Sequence, residues 1–214
     1  VLRMKKNWTI RLLAGVAAGA MAFSMVGCGS SKDNSKNGGK EKFIVGFDAA
    51  FPPYGYQDEN GEYVGFDLDL AAEVCKRNDW ELVKQPIDWN AKDMELNSGS
   101  IDCIWNGFTM NGREDDYTFS EPYVDNSQVI VVADDSGIEK LTDLAGKTVG
   151  VQAASAALDL LQSEEEGGQK ELADTFGALN EFADYNTAFT ELQAGALDAL
   201  AIDVGVAKYQ MNSR

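Results

Sequence analysis

Past position 28 the chain has three arginines, Arg77, Arg113 and Arg214, among 14 basic and 35 acidic residues, and it has no histidine. The commonest general base and the commonest metal ligand are therefore missing, and neither a Ser/His nor a Cys/His nucleophilic pair can be assembled. No catalytic residue, metal or cofactor is expected, and the chemistry left is recognition. Arg113 follows Asn106-Gly107-Phe108-Thr109, and its planar fork suits a carboxylate gripped by two parallel hydrogen bonds. Its competing role is a surface pair with Glu114, Asp115 or Asp116. Arg77 ends a helix, where it reads as a solvated cap favoured by the helix dipole, and Arg214 is the last residue. Asp203 offers a carboxylate either to an ammonium or to the start of a helix. Ser155 reads as a helix N-cap, and the same geometry directs the amides of Ser155 and Ala156 at an anion. Phe51 and Trp89 sit in loops after strands, as core packing or as flat walls against a ligand.

Such residues must be carried by a frame, and the periodicity supplies one. Extended segments at 43–47, 82–84 and 101–105 alternate with helical ones at 67–77 and 91–97, with connections long enough for parallel pairing. A second series follows: 128–133 extended, 147–151 extended, 156–162 helical, 179–183 extended, 187–194 helical and 198–202 extended, with 163–169 a surface loop. The fold class is α/β. In open α/β sheets ligands bind beyond the carboxyl ends of the strands, here 48–51, 106–109, 152–156 and Asp203, so Asp48 and Asn106 join the candidates.

An internal echo divides the chain into two units. Glu95-Leu-Asn-Ser-Gly99-Ser-Ile-Asp102 recurs as Glu191-Leu-Gln-Ala-Gly195-Ala-Leu-Asp198, each a helix stopped by glycine before a buried strand. Val45-Gly46-Phe47 is matched by Val149-Gly150-Val151. Such joints also arise by chance in α/β proteins; two in the same order favour a shared plan.

The first 28 residues differ from the rest. Arg3, Lys5, Lys6 and Arg11 precede an Ala/Gly-rich apolar run that ends Met25-Val26-Gly27-Cys28, which reads as a signal peptide. An uncleaved anchor is the alternative, although the run is short and rich in small residues. Its end resembles the bacterial lipobox, with Met25 in place of the usual leucine, and this resemblance implies a lipid on Cys28. Residues 29–42, built mostly from Ser, Gly, Asn, Asp and Lys, form a flexible tether. With the four leading cations set aside, 14 bases face 35 acids, a formal charge near −21 that excludes nucleic acid as a natural partner. An exported location would permit a bridge between Cys75 and Cys103; we read both instead as small buried hydrophobes.

The segment from Phe43 to about Met211 resembles the polar amino-acid-binding proteins of ABC uptake systems, the group of the glutamine, histidine and lysine/arginine/ornithine receptors. Five motifs in order carry the likeness: Val45-Gly-Phe-Asp48 with Phe51-Pro52; Gly65-Phe-Asp-Leu-Asp-Leu-Ala71; Phe119-Ser-Glu-Pro-Tyr123; Val149-Gly-Val-Gln152; and Leu192-Gln-Ala-Gly-Ala-Leu-Asp-Ala199. The resemblance implies that Phe51 and Trp89 sandwich the ligand side chain and that Asp48 meets its polar end. It also implies that Gly107 and Thr109 meet the α-ammonium and α-carboxylate, that Arg113 clamps the carboxylate with the Ser155 and Ala156 amides, and that Asp203 partners the ammonium. Three departures stand out. Thr109-Met-Asn-Gly-Arg113 is one residue shorter than the usual Thr-x-Thr-x-x-Arg, Ala156 replaces a frequent threonine, and no second hinge strand follows, so the chain is expected to be truncated.

The expectation is a type II periplasmic-binding fold, incomplete at its C-terminus, with lobe 1 at 43–127, lobe 2 at 128–214 and a hinge at 126–131. It would be an exported, lipid-anchored monomer on the outer face of the cytoplasmic membrane. There it would capture an L-amino acid and deliver it to an ABC permease. A ligand-sensing module and an enzyme built on the same fold are the alternatives. Asp48, Trp89 and Asn106 suggest a polar ligand such as glutamine, a basic amino acid or cystine.

Overall fold

The computed structural model describes residues 2–4 and 40–213. The other residues of the leader, with Cys28, and all but the end of the tether lie outside them. The elements in chain order are β1 (Leu2–Met4), β2 (Lys42–Phe47), β3 (Ala50–Phe51), β4 (Gly55–Gln57), β5 (Tyr63–Val64), α1 (Phe66–Asn78), β6 (Glu81–Pro86), α2 (Lys92–Ser98) and β7 (Cys103–Ile104). They continue as β8 (Gln128–Ala133), β9 (Thr148–Gln152), α3 (Ala156–Gln162), α4 (Lys170–Ala173), β10 (Ala178–Phe182), α5 (Tyr185–Ala194), β11 (Ala199–Asp203) and α6 (Val204–Ser213).

Two main sheets result. The first is parallel, in the order β6-β2-β7, with a small antiparallel β3-β4-β5 sheet beside it. The second has the order β1-β8-β11-β9-β10, where β9, β10 and β11 are mutually parallel and β8 runs antiparallel to β11. Period-two alternation buries both faces of this sheet. Val131, Leu200 and Ile202 pack with Tyr185 and Phe189 on one face, while Ile130, Val132, Ala199 and Ala201 pack with Leu158 and Leu161 on the other. Phe51 and Tyr54, from the first half of the chain, are built into the core of the first of these faces.

The sequence echo is physical. Gly99 and Gly195 both end their helices in the left-handed conformation, at φ 75° and 78°. Two residues on, Ile101 and Leu197 lie where a Cβ on Gly46 or Gly150 would collide with them. The next residue ties the joint to the central strand, because Asp102 accepts from the Ile44 amide at 2.7 Å and Asp198 from the Thr148 amide at 2.8 Å.

Some expectations need correction. The strand expected at 101–105 shrinks to β7, because Ile101 and Asp102 are spent on covering Gly46 and bonding Ile44. Leu2–Met4 pair with Val131–Ala133 as an edge strand, a contact that a chain cleaved before Cys28 would not carry. Cys75 and Cys103 are both free thiols; Cys75 is buried, but Cys103 is only partly so.

Candidate ligand-binding site

The carboxyl ends of β2, β7, β9 and β11 meet around a cleft lined by Phe51, Trp89, Asn106, Gly107, Phe108, Thr109, Arg113, Gln152, Ser155, Ala156 and Asp203, with a cavity of only about 20 Å³. That is about the room one water molecule needs, so the cleft is closed as it stands and must widen to admit a solute. A wider hollow of about 530 Å³, beside Phe43, Cys103 and Tyr117, is lined by neither Arg113 nor Asp203.

Nine of the ten residues singled out from sequence line this cleft. The tenth, Asp48, lies behind Gln152, whose amide donates to its Oδ2 at 2.8 Å. Its Oδ1 accepts from the Ala50 amide at 2.8 Å, and burial raises its pKa against the pull of these two bonds. Asp88 and Asp184 add to the rise, so the carboxylate end of the cleft favours a donor or a cation.

Arg113 does not pair with Glu114, Asp115 or Asp116. Its side chain is 11 % exposed and reaches across to α3, where Nη2 donates to Asp159 Oδ2 at 2.6 Å. The guanidinium lies 4.7 Å from the centre of the Phe108 ring, a cation–π contact. Ser155 caps α3, its hydroxyl accepting from the Leu158 amide at 3.2 Å. The first amides of that helix, which have no acceptor within it, therefore border the cleft beside the cation.

Asp203 ends β11 and immediately precedes α6, so it does stand at a helix start. Its carboxylate nonetheless turns to side chains: Asn126 Nδ2 and Gln128 Nε2 both donate to Oδ1 at 2.7 Å. Burial raises its pKa, while those two donors and the Arg113 charge lower it. Asn126 Nδ2 also donates to the Gly107 carbonyl and to Thr109 Oγ1, each at 3.0 Å. Gly107 has φ 56°, and its amide donates to the buried Asp67 carboxylate. A side chain there would also press on the Tyr54 ring, with a Cβ 3.2 Å away.

The aromatic pair is buried, Phe51 at 6 % and Trp89 at 7 % exposure. Phe51 stacks on Tyr54 and lies 6.0 Å from Tyr185, while Trp89 packs edge-on against Phe108 and donates from Nε1 to the Ala154 carbonyl at 3.2 Å. Core and wall are thus the same residues.

Sequence reasoning passed over Gln152, Phe108 and Asp159. The first two fall inside the strand-end segments already marked and were available to that rule. Asp159 lies one turn into α3, and nothing in its spacing announces a partner 46 positions away.

Residues 43–208 match the family model described as bacterial extracellular solute-binding proteins, family 3. The chain belongs to that family. It is 34 % identical over 205 residues to the arginine-binding extracellular protein ArtP of Bacillus subtilis, a match covering 95 % of this chain and 75 % of the relative. An ABC uptake transporter substrate-binding protein from Streptococcus pneumoniae, solved with bound histidine, superposes with TM-score 0.75 at 35 % identity over 80 % of this chain and 70 % of that one. An ancestral amino acid-binding protein, a precursor of cyclohexadienyl dehydratase, superposes with TM-score 0.73 at 29 % identity over 80 % and 74 % of the two chains. The family member described here has the two-lobed periplasmic-binding-protein type II fold.

Proposed function

We propose that the chain captures an L-amino acid in this cleft and hands it to an ABC permease outside the cytoplasmic membrane. The observation that carries the reading is the convergence on one small cleft of a buried guanidinium, the start of α3 and a buried acid from β11. A zwitterion presents the complementary charges. Its carboxylate would lie between Arg113 and the amides of Ser155 and Ala156, and its ammonium would meet Asp203, the Gly107 carbonyl and Thr109. Phe51 and Trp89 would flank its side chain, and Asp48 would act through or in place of Gln152. The cognate-ligand names of the relatives, arginine and histidine, agree with an acid at that end.

Residues 43–127 and 128–214 would act as two lobes hinged near 126–131. The ligand closes them because its contacts with both exist only in the closed form. Export, a lipid on Cys28 and action as a monomer complete the reading. Binding without turnover is the function proposed; the dehydratase lineage of one structural neighbour makes an enzyme the reading to test against it. A thermal-shift screen of the L-amino acids tests the proposal. A ligand at 100 times its Kd should stabilise by about 2.7 kcal/mol, Arg113→Ala should abolish the shift, and the ligand should be recovered unchanged. No shift with any amino acid would refute it.

A further inference from the structure

We propose that Asp159, with the Ala154 carbonyl, is an internal occupant of the Arg113 clamp that biases the ligand-free cleft toward closure and must be displaced by the incoming carboxylate. The inference deepens the amino-acid reading of the cleft and rests on it.

A guanidinium grips a carboxylate through one of two pairs of parallel N–H groups, Nη1 with Nη2 or Nε with Nη2. Both pairs need Nη2, which carries two hydrogens. In this structure Nη2 donates to Asp159 Oδ2 at 2.6 Å and to the Ala154 carbonyl at 3.5 Å, while Nη1 donates to the Thr109 carbonyl at 3.3 Å. Asp159 thus takes one hydrogen of Nη2 outright, while the long contact to Ala154 only crowds the other. Swinging aside to present a fresh edge would cost the guanidinium its contact with the Phe108 ring.

Both Nη2 acceptors come from the segment that follows β9, whereas Arg113 follows β7, so the contact spans the cleft. Ala154 is one of two described non-glycine residues with positive φ, at 53°, a conformation that costs an alanine free energy. Its carbonyl accepts from both Trp89 Nε1 and Arg113, so the unfavourable backbone is coupled to the cross-cleft bonds. Asp159 is 57 % exposed. A carboxylate that wet gives a weak, exchangeable pair, and once released it keeps water and the α3 dipole as partners. Displacement of Asp159 therefore frees the fork at small cost.

The test compares the chain with Asp159→Ala, and with Glu165→Ala as a control for loss of an acid. Each is titrated with L-arginine, L-histidine and L-glutamine, and measured by small-angle scattering with and without ligand. The latch predicts about two- to five-fold tighter binding for Asp159→Ala, with Glu165→Ala unchanged. It also predicts a more extended ligand-free form of Asp159→Ala and an unaltered ligand-bound form. Equal or weaker binding, or an unchanged ligand-free radius of gyration, would overturn it. If no amino acid binds the unsubstituted chain, the cleft reading fails by itself, and the ligand-free scattering still decides whether the latch exists.

Discussion

Asp67 gives the sharpest prediction about how the cleft is built. It is fully buried at the start of α1, accepting from the Gly107 amide and, at 3.0 Å, from the Tyr123 hydroxyl. Burial outweighs both bonds and pushes its pKa from 3.8 to about 6. Between those values the folded chain holds the proton more tightly than the unfolded one. This contribution to stability is therefore complete below 3.8 and is lost as pH rises through about 6. A rise of this size corresponds to about 3 kcal/mol as an upper bound. Asp67→Asn keeps an acceptor for Gly107 and cannot ionise. The difference in unfolding free energy between the two proteins, measured in urea from about pH 3.5 to 7, should move in favour of the variant by up to that amount. Asp48 and Asp203 are raised in the same direction, but they are common to both proteins and cancel in the difference. A difference independent of pH would refute the reasoning, because the cost of burial would then be fully met by Gly107 and Tyr123.

Two further outcomes concern closure. Gly205 meets Tyr54 Oη where its Cβ would stand, so Gly205→Ala should force Tyr54 from the core and cost about 1–3 kcal/mol, read as a fall in Tm. Trp89→Phe keeps an aromatic wall but loses the bond to the Ala154 carbonyl; titration calorimetry should show binding weaker by roughly 2- to 12-fold, equivalent to ~0.5–1.5 kcal/mol.

Much of the frame was legible because local chemistry and burial agree. A β-branched run marks β8, and a serine cap followed by apolar residues marks α3; both match their expected limits. The β3-β4-β5 sheet was not legible, since strands of two or three residues show no period. Nor was α6, which opens Val-Gly-Val directly after Asp203 and carries a poor helix former in its first turn. At the site, the strand-end rule located the segments, but pairing across the cleft is not written in spacing. Arg113 has three acids immediately after it in the chain and binds a fourth from α3, because its guanidinium lies over Phe108 and away from solvent. Asp48 was read as a direct contact, yet Gln152, an uncharged strand residue that attracted no notice, stands in front of it.

The central claim is that Arg113 holds the carboxylate of an amino acid. Titration calorimetry of the chain and of Arg113→Ala, each with an L-amino acid and with its C-terminal amide, measures this directly. The account predicts that the unsubstituted chain prefers the free carboxylate by about 10- to 100-fold and that Arg113→Ala loses the preference. An Arg113→Ala protein that still discriminates to the same degree would contradict it.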